Sequence, residues 1–158
     1  MTNLGAMAIT SSEARQQILD ELAEAIERIG FAAGRLGEAY EELSVDAADR
    51  MEAELYMPVQ KAFGRGKRAY TQYAERSGLS VRTFAPGQLG VPSHGARGWI
   101  EEAVGAAASA DYQISDLQDS EIAIEFGDPE LRAGLSETRE LLSRVPGASA
   151  TFLRSFGR

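Results

Sequence analysis

Cysteine is absent and histidine occurs once, at His94, in a chain of 158 residues. The first absence removes disulfide frameworks, thiolate zinc sites and cysteine nucleophiles together. The second removes haem ligation by a histidine pair and the two-iron sites of helical bundles, which need two Glu-x-x-His pairs. No Glu stands three residues before His94, and a Ser-His-Asp arrangement would have only this imidazole and no nucleophile elbow. Long hydrophobic runs are missing as well. No stretch nears the roughly 18 apolar residues of a membrane span, and Met1 to Thr10 lacks the basic and apolar regions of a signal peptide. A cytoplasmic protein with no membrane contact is expected.

Large apolar side chains are scarce: Leu, Ile, Val and Phe together number 34 of 158. That is just above the roughly 20% below which chains tend towards disorder. Alanine is plentiful, at 25 residues. Many Ala and few bulky residues suit thin, closely packed helices and disfavour a β-sandwich. The length is that of one ordinary domain.

The apolar residues that exist keep a helical period. Thr10-Ser11-Ser12-Glu13 has the form of a capping box. Beyond it Leu22, Ile29, Leu36 and Leu43 are spaced by seven, with Leu19, Ile26, Ala33 and Tyr40 as a second row on the same face. Gly30, Gly34 and Gly37 lower helix propensity locally. After a turn at Ser44 to Asp46, Ala48, Leu55, Ala62 and Ala69 form one row, and Val45, Val59, Gly66 and Tyr73 most of another. This helix is expected to kink at Pro58 and to end near Ser77-Gly78. Punctuation is then dense from Gly78 to Pro92, which reads as a long loop. A third helix is expected from Ser93 as N-cap to just before Gly127, its seam running from Ile100 to Ile124. Asp128-Pro129-Glu130 reads as N-cap, first-turn proline and acid of a fourth helix, kinked at Pro146 and continuing to Phe156; a short fifth helix is the alternative.

The pattern predicts an all-α four-helix bundle made of two helical hairpins, 12–77 and 94–157, joined by the loop 78–93, with arms of roughly 45 Å. Residues 1–10 are a flexible N-terminus and 11–158 a single helical domain. Up-down-up-down order is favoured, although an extended loop of this length can run most of the bundle; exchange of hairpins between two chains is the alternative.

Candidate sites depend on that order. Glu52 and Glu121 fall in seam rows, and the favoured topology brings them to one end as a polar core pair, a potential oxygen-ligand cation site or shared proton. Arg76, Arg82, Ser93, His94 and Arg97 come together at the opening of the third helix, where free N–H groups favour a small carboxylate or phosphate compound. Residues 60–82 carry Lys61, Arg65, Lys67, Arg68, Arg76 and Arg82 against Glu75 alone, in a chain of net charge -8. With Tyr70 and Tyr73 this resembles a nucleic-acid footprint, but the whole-chain field repels a polyanion, and pairing with acidic neighbours is the preferred reading. Tyr56, Phe63 and Tyr70 widen the apolar face of the second helix, the motive for expecting a homodimer. The tail 150–158, with Phe152, Leu153 and Phe156, packs on its own bundle or docks into a protein partner.

The function expected is that of a non-catalytic, self-associating interaction or scaffold protein without cofactor or metal. A small-anion-binding or regulatory protein is the alternative. A carboxylate-pair, metal-dependent enzyme comes third.

Overall fold

The computed structural model describes residues 9–87 and 95–156, and every regular element among them is helical. Helix α1 spans Ser11–Glu41. Its capping box forms as the sequence predicts: Thr10 N–H donates to Glu13 Oε1 at 2.9 Å and Glu13 N–H to Thr10 Oγ1 at 3.0 Å. The two heptad rows line the core, with Leu19, Leu22, Ile26 and Ile29 fully buried and Tyr40 and Leu43 half-buried against it.

Helix α2, Val45–Met51, is capped by Ser44 and leads through a π-helical turn, Glu52–Tyr56, into α3, Met57–Arg76. At Pro58, where a kink is expected, the backbone widens just ahead of the proline. A proline has no N–H and its ring collides with the carbonyl four residues back, here that of Glu54; a wider turn, with Met57 N–H bonded to the Glu52 carbonyl, accommodates it. The extra residue rotates α2 about the helix axis relative to α3. Val45, 77% exposed, and Glu52 therefore point to solvent, while Val59 and Tyr73, in the same heptad row, are buried. At the far end Gly78 adopts φ 68°, Gly78 N–H bonds the Glu75 carbonyl and Leu79 N–H that of Ala74, a Schellman stop where the sequence places it.

The second half has more breaks than the periodicity suggests. Helix α4, Gly95–Asp119, stops at Ser120, whose hydroxyl donates to the Leu117 carbonyl and accepts Ala123 N–H to start the short α5, Glu121–Phe126. Ile124, expected on the seam, is turned out to 66% exposure by this break. Helix α6, Pro129–Leu142, begins at Asp128 and Pro129 as expected. Pro146 does not kink it: α6 ends, and Pro146 sits in the first turn of α7, Val145–Phe156, where a missing N–H costs no helical bond. The expected N-cap Ser93 and most of the N-terminus lie outside the described residues.

The favoured up-down-up-down order is not the one found. Gly66 of α3 lies against Ile26 of α1, Gly30 against Phe63, and Gly37 against Tyr56, so α1 and α3 are antiparallel. Arg35 of α1 pairs with Glu102 of α4, and Glu24 bonds Gln113, so α4 is also antiparallel to α1 and thus parallel to α3. Arg65 and Arg76 of α3 pair with Glu137 and Asp128, which sets α6 antiparallel to α3. The chain runs up, down, down, up. The crossover climbs beside α1: Arg82 pairs with Glu27, and Gly87 N–H donates to the Gly30 carbonyl at 3.0 Å.

This climbing segment covers the row that motivated a dimer. Phe84 meets Tyr70 edge-on at 5.2 Å between ring centroids, and Ala85 lies over Gly30 beside Phe63. Phe63 and Tyr70 are buried within one chain. At the C-terminus Phe152 is fully buried, stacked on Phe156, and Arg50 reaches both the Phe152 ring and Ser155 Oγ. The tail's main apolar anchor is thus spent inside its own fold.

Crossover packing depends on bare helix backbone. A Cβ at Gly34 would stand 2.7 Å from the Gly87 carbonyl oxygen, whereas one at Gly105, on exposed α4 surface, would meet nothing within 4 Å. Gly34→Ala should cost roughly 1–2 kcal/mol, overpacking outweighing the better helix propensity, and Gly105→Ala should add about 0.5–1 kcal/mol. Urea unfolding of the two variants checks the opposite signs.

Candidate functional site

The parallel course of α3 and α4 separates the residues that the expected topology would gather. Glu52 and Glu121 lie at opposite ends of the molecule, both exposed. Among the described residues no cluster of His, Asp or Glu could hold a metal ion. The three arginines of the expected anion site also disperse. Arg76 forks onto Asp128 at 2.7 and 2.8 Å, Arg82 pairs with Glu27 at 2.8 Å, and Arg97 donates to the Leu153 carbonyl at 3.2 Å. Arg97 stands at the start of α4 and Arg76 beside its far end, about 30 Å away along a helix of this length. Ser93 and His94 lie outside the described residues.

Arg76 has a structural task. Asp128 caps α6 through Leu131 N–H at 2.7 Å while holding the Arg76 guanidinium, which joins the ends of α3 and α6. Burial alone pushes the Asp128 carboxyl up; Arg76, the Leu131 N–H and Arg132 outweigh it and hold the group below its ordinary value. Nearby, Tyr73 donates to the Phe126 carbonyl at 2.9 Å, and burial pushes its phenol up, so it remains a donor. Tyr70 and Tyr73, at 3% and 1% exposure, have no free face for a base to stack on.

Half of the basic segment, Arg65, Arg76 and Arg82, meets acids of other elements, in line with the preferred reading of its charge. The excess gathers on one face of α3. Lys61, Gly64, Arg65 and Arg68, at i, i+3, i+4 and i+7, line a groove of about 640 Å³. Ser136, Glu137, Glu140 and Leu141 of α6 form the opposite wall, and Arg144 closes one end where α6 gives way to α7. The two helices approach closely because Gly134 presents no side chain: a Cβ there would be 2.8 Å from that of Ala69 and 3.2 Å from Arg65 Nη1.

The charges in the groove are unequal in number and in commitment. Arg65, 15% exposed, is fixed on Glu137 at 2.7 Å, which neutralises the middle. Lys61 and Arg68 are exposed and have no ion-pair partner among the described residues. Arg144 lies 3.6 Å from Glu140, both side chains more than half exposed, a pairing that solvent weakens. The groove's volume exceeds the roughly 340 and 250 Å³ of two smaller depressions.

Comparison with protein-family models, curated proteins and solved structures finds no match. The groove must therefore be read from its own chemistry. Periodicity alone does not reveal it, because its α6 wall is set by a pairing of helices distant in sequence. Arg35 has no signal in the sequence for a related reason. It is 7% exposed, lies over the Phe31 ring at 4.1 Å and the Trp99 ring at 5.0 Å, and donates from Nε to Glu102 at 3.0 Å. This is a core clamp between α1 and α4.

The Asp128 pairing predicts a pH signature. A carboxyl held low in the fold adds stability above its unfolded value, about 3.9, and loses it as pH falls through the folded value. Asp128→Asn keeps a capping oxygen but not the charge. The variant should be less stable by about 1 kcal/mol at pH 7, discounted for the partly exposed Arg76, and the gap should close towards pH 3. Urea unfolding at the two pH values measures it; a gap that stays constant would refute the assignment.

Proposed function

We propose that the protein is a non-catalytic binding module, and that the groove between α3 and α6 recognises an anionic partner. The observation that carries this reading is the pair of unmatched cations Lys61 and Arg68, with Arg144 only weakly held by Glu140, around Gly64 and Leu141 in the groove lining. Elsewhere the chain is acidic, with a net charge of -8, so the groove is a local reversal of the molecule's field. Such a reversal steers an anion to one place and repels it from the rest. This keeps a non-catalytic interaction role and joins it to the anion chemistry that the sequence suggests at the opening of the third helix, now on the face of α3.

A labelled oligo-glutamate peptide is the first probe. Its fluorescence anisotropy should rise with protein, and the affinity should fall several-fold as salt is raised from about 50 to about 300 mM. Lys61→Glu combined with Arg68→Glu should weaken binding by roughly tenfold or more, both being exposed positions whose exchange leaves the core intact. Equal binding by the double variant would overturn the proposal.

A further inference from the structure

We infer that the occupant of this groove is an amphipathic helix of a partner protein, carrying two acids seven residues apart and an apolar side chain midway between them. The inference rests on the reading of the groove as an anion-recognising surface and specifies what it recognises. Charge sets the spacing. Arg65 lies opposite Glu137 and Arg76 opposite Asp128, so Lys61 lies near Leu141 and Arg144, and Arg68 towards Gly134. Along the groove the order is Lys61 and Arg144 against Glu140, then the neutral Arg65–Glu137 pair, then Arg68, so each end carries net positive charge. The cationic ends are Lys61 and Arg68, seven residues or about 10 Å apart along α3. Two acids at i and i+7 of an added helix lie on one face at the same distance.

Shape selects a helix over a small molecule. Glu137, Glu140 and Arg144 have side chains 59%, 70% and 55% exposed, and Lys61 and Arg68 are exposed too, so the groove is open along its side. A compact ligand buries about 70–90% of its surface in its site, which an open trough does not provide. A helix laid between two helices uses the trough's whole length. Between the cationic ends, a Cβ on Gly64 would meet no atom within 4 Å, and Leu141, half-buried, lines the groove nearer its Lys61 end. That leaves open space over the bare Gly64 backbone for one apolar side chain, at i+3 or i+4 of the incoming helix. The undescribed segments 1–8 and 88–94 contain no Asp or Glu, so neither supplies the acids.

The test uses an alanine-based peptide with Glu at positions i and i+7 and Leu midway, and a second peptide of identical composition with the acids at i and i+5, on opposite faces. The first should gain helical circular dichroism on mixing and bind roughly tenfold more tightly than the second. Gly64→Leu should fill that space and weaken the first peptide by a similar factor. Its unfolding midpoint should not fall, since the site is open and Leu is the better helix former. Equal binding of both peptides without helix formation would overturn the helical occupant and leave the anion reading standing. Failure of both, and of oligo-glutamate, would overturn the two together. Sedimentation of the protein alone gives the remaining outcome: self-association lost in Lys61→Glu/Arg68→Glu would make a second copy the occupant and overturn the foreign partner.

Discussion

The arrangement depends on the contact between the crossover and the glycine face of α1. Gly30, Gly34 and Gly37 have a spacing of four and three, which puts them along one side of a helix. Read locally they weaken the helix. In the fold, Gly30 and Gly34 let another backbone lie directly on it, with Gly87 N–H on the Gly30 carbonyl and the Gly87 carbonyl where a Cβ of Gly34 would stand. The crossover can then climb along α1 and still cover Phe63 and Tyr70. Helix α4 starts beside the C-terminal end of α1, where Trp99 Nε1 bonds Glu42, and descends from there. The described part of the crossover thus runs along α1 in the direction that parallel α3 and α4 require.

What the sequence disclosed divides along the range of the interactions involved. Caps are local: Thr10 with Glu13, Asp128 with Pro129, and the stop at Gly78 involve atoms within a few residues, and side-chain type decides them. Heptad rows are nearly as local, and those of α1 line the core. Two failures of the rows are also local but concern a competition. At Pro58 the ring's conflict with the preceding carbonyl adds a residue to a turn, and at Ser120 a hydroxyl offers its own bonds to the backbone and restarts the helix. Strict spacing carries Val45 and Ile124 inward; the outcome of each competition turns them out.

Topology is a different kind of quantity. A loop of sixteen residues from 78 to 93 is long enough for either order, and its closure entropy hardly distinguishes them. The decision rests on glycines in α1 meeting a glycine over fifty residues away, which no window on the sequence contains. Sites inferred across helices inherit that uncertainty. Glu52 with Glu121, and Arg76 with Arg82 and Arg97, needed the up-down-up-down order and were lost with it. The basic run of α3 needed only one helix, and its position on the surface was legible from spacing alone.

Electrostatics then determines which of those basic residues are committed to the fold. Arg65, Arg76 and Arg82 each find an acid on another element and act as ties between α3, α6, α1 and the crossover. Lys67 lies over the Phe63 ring at 4.1 Å. Lys61 and Arg68 do neither, although acids outnumber bases by 24 to 16 in the whole chain. Exposed ion pairs contribute little to stability, so their absence here costs the fold almost nothing. It does leave charge near the open space where the backbone of Gly64 is bare. Stability alone would be served as well or better by alanine at that position, since no neighbour requires a glycine there. A glycine that packing does not need, between two cations that pairing does not use, is the feature on which the proposed incoming helix depends.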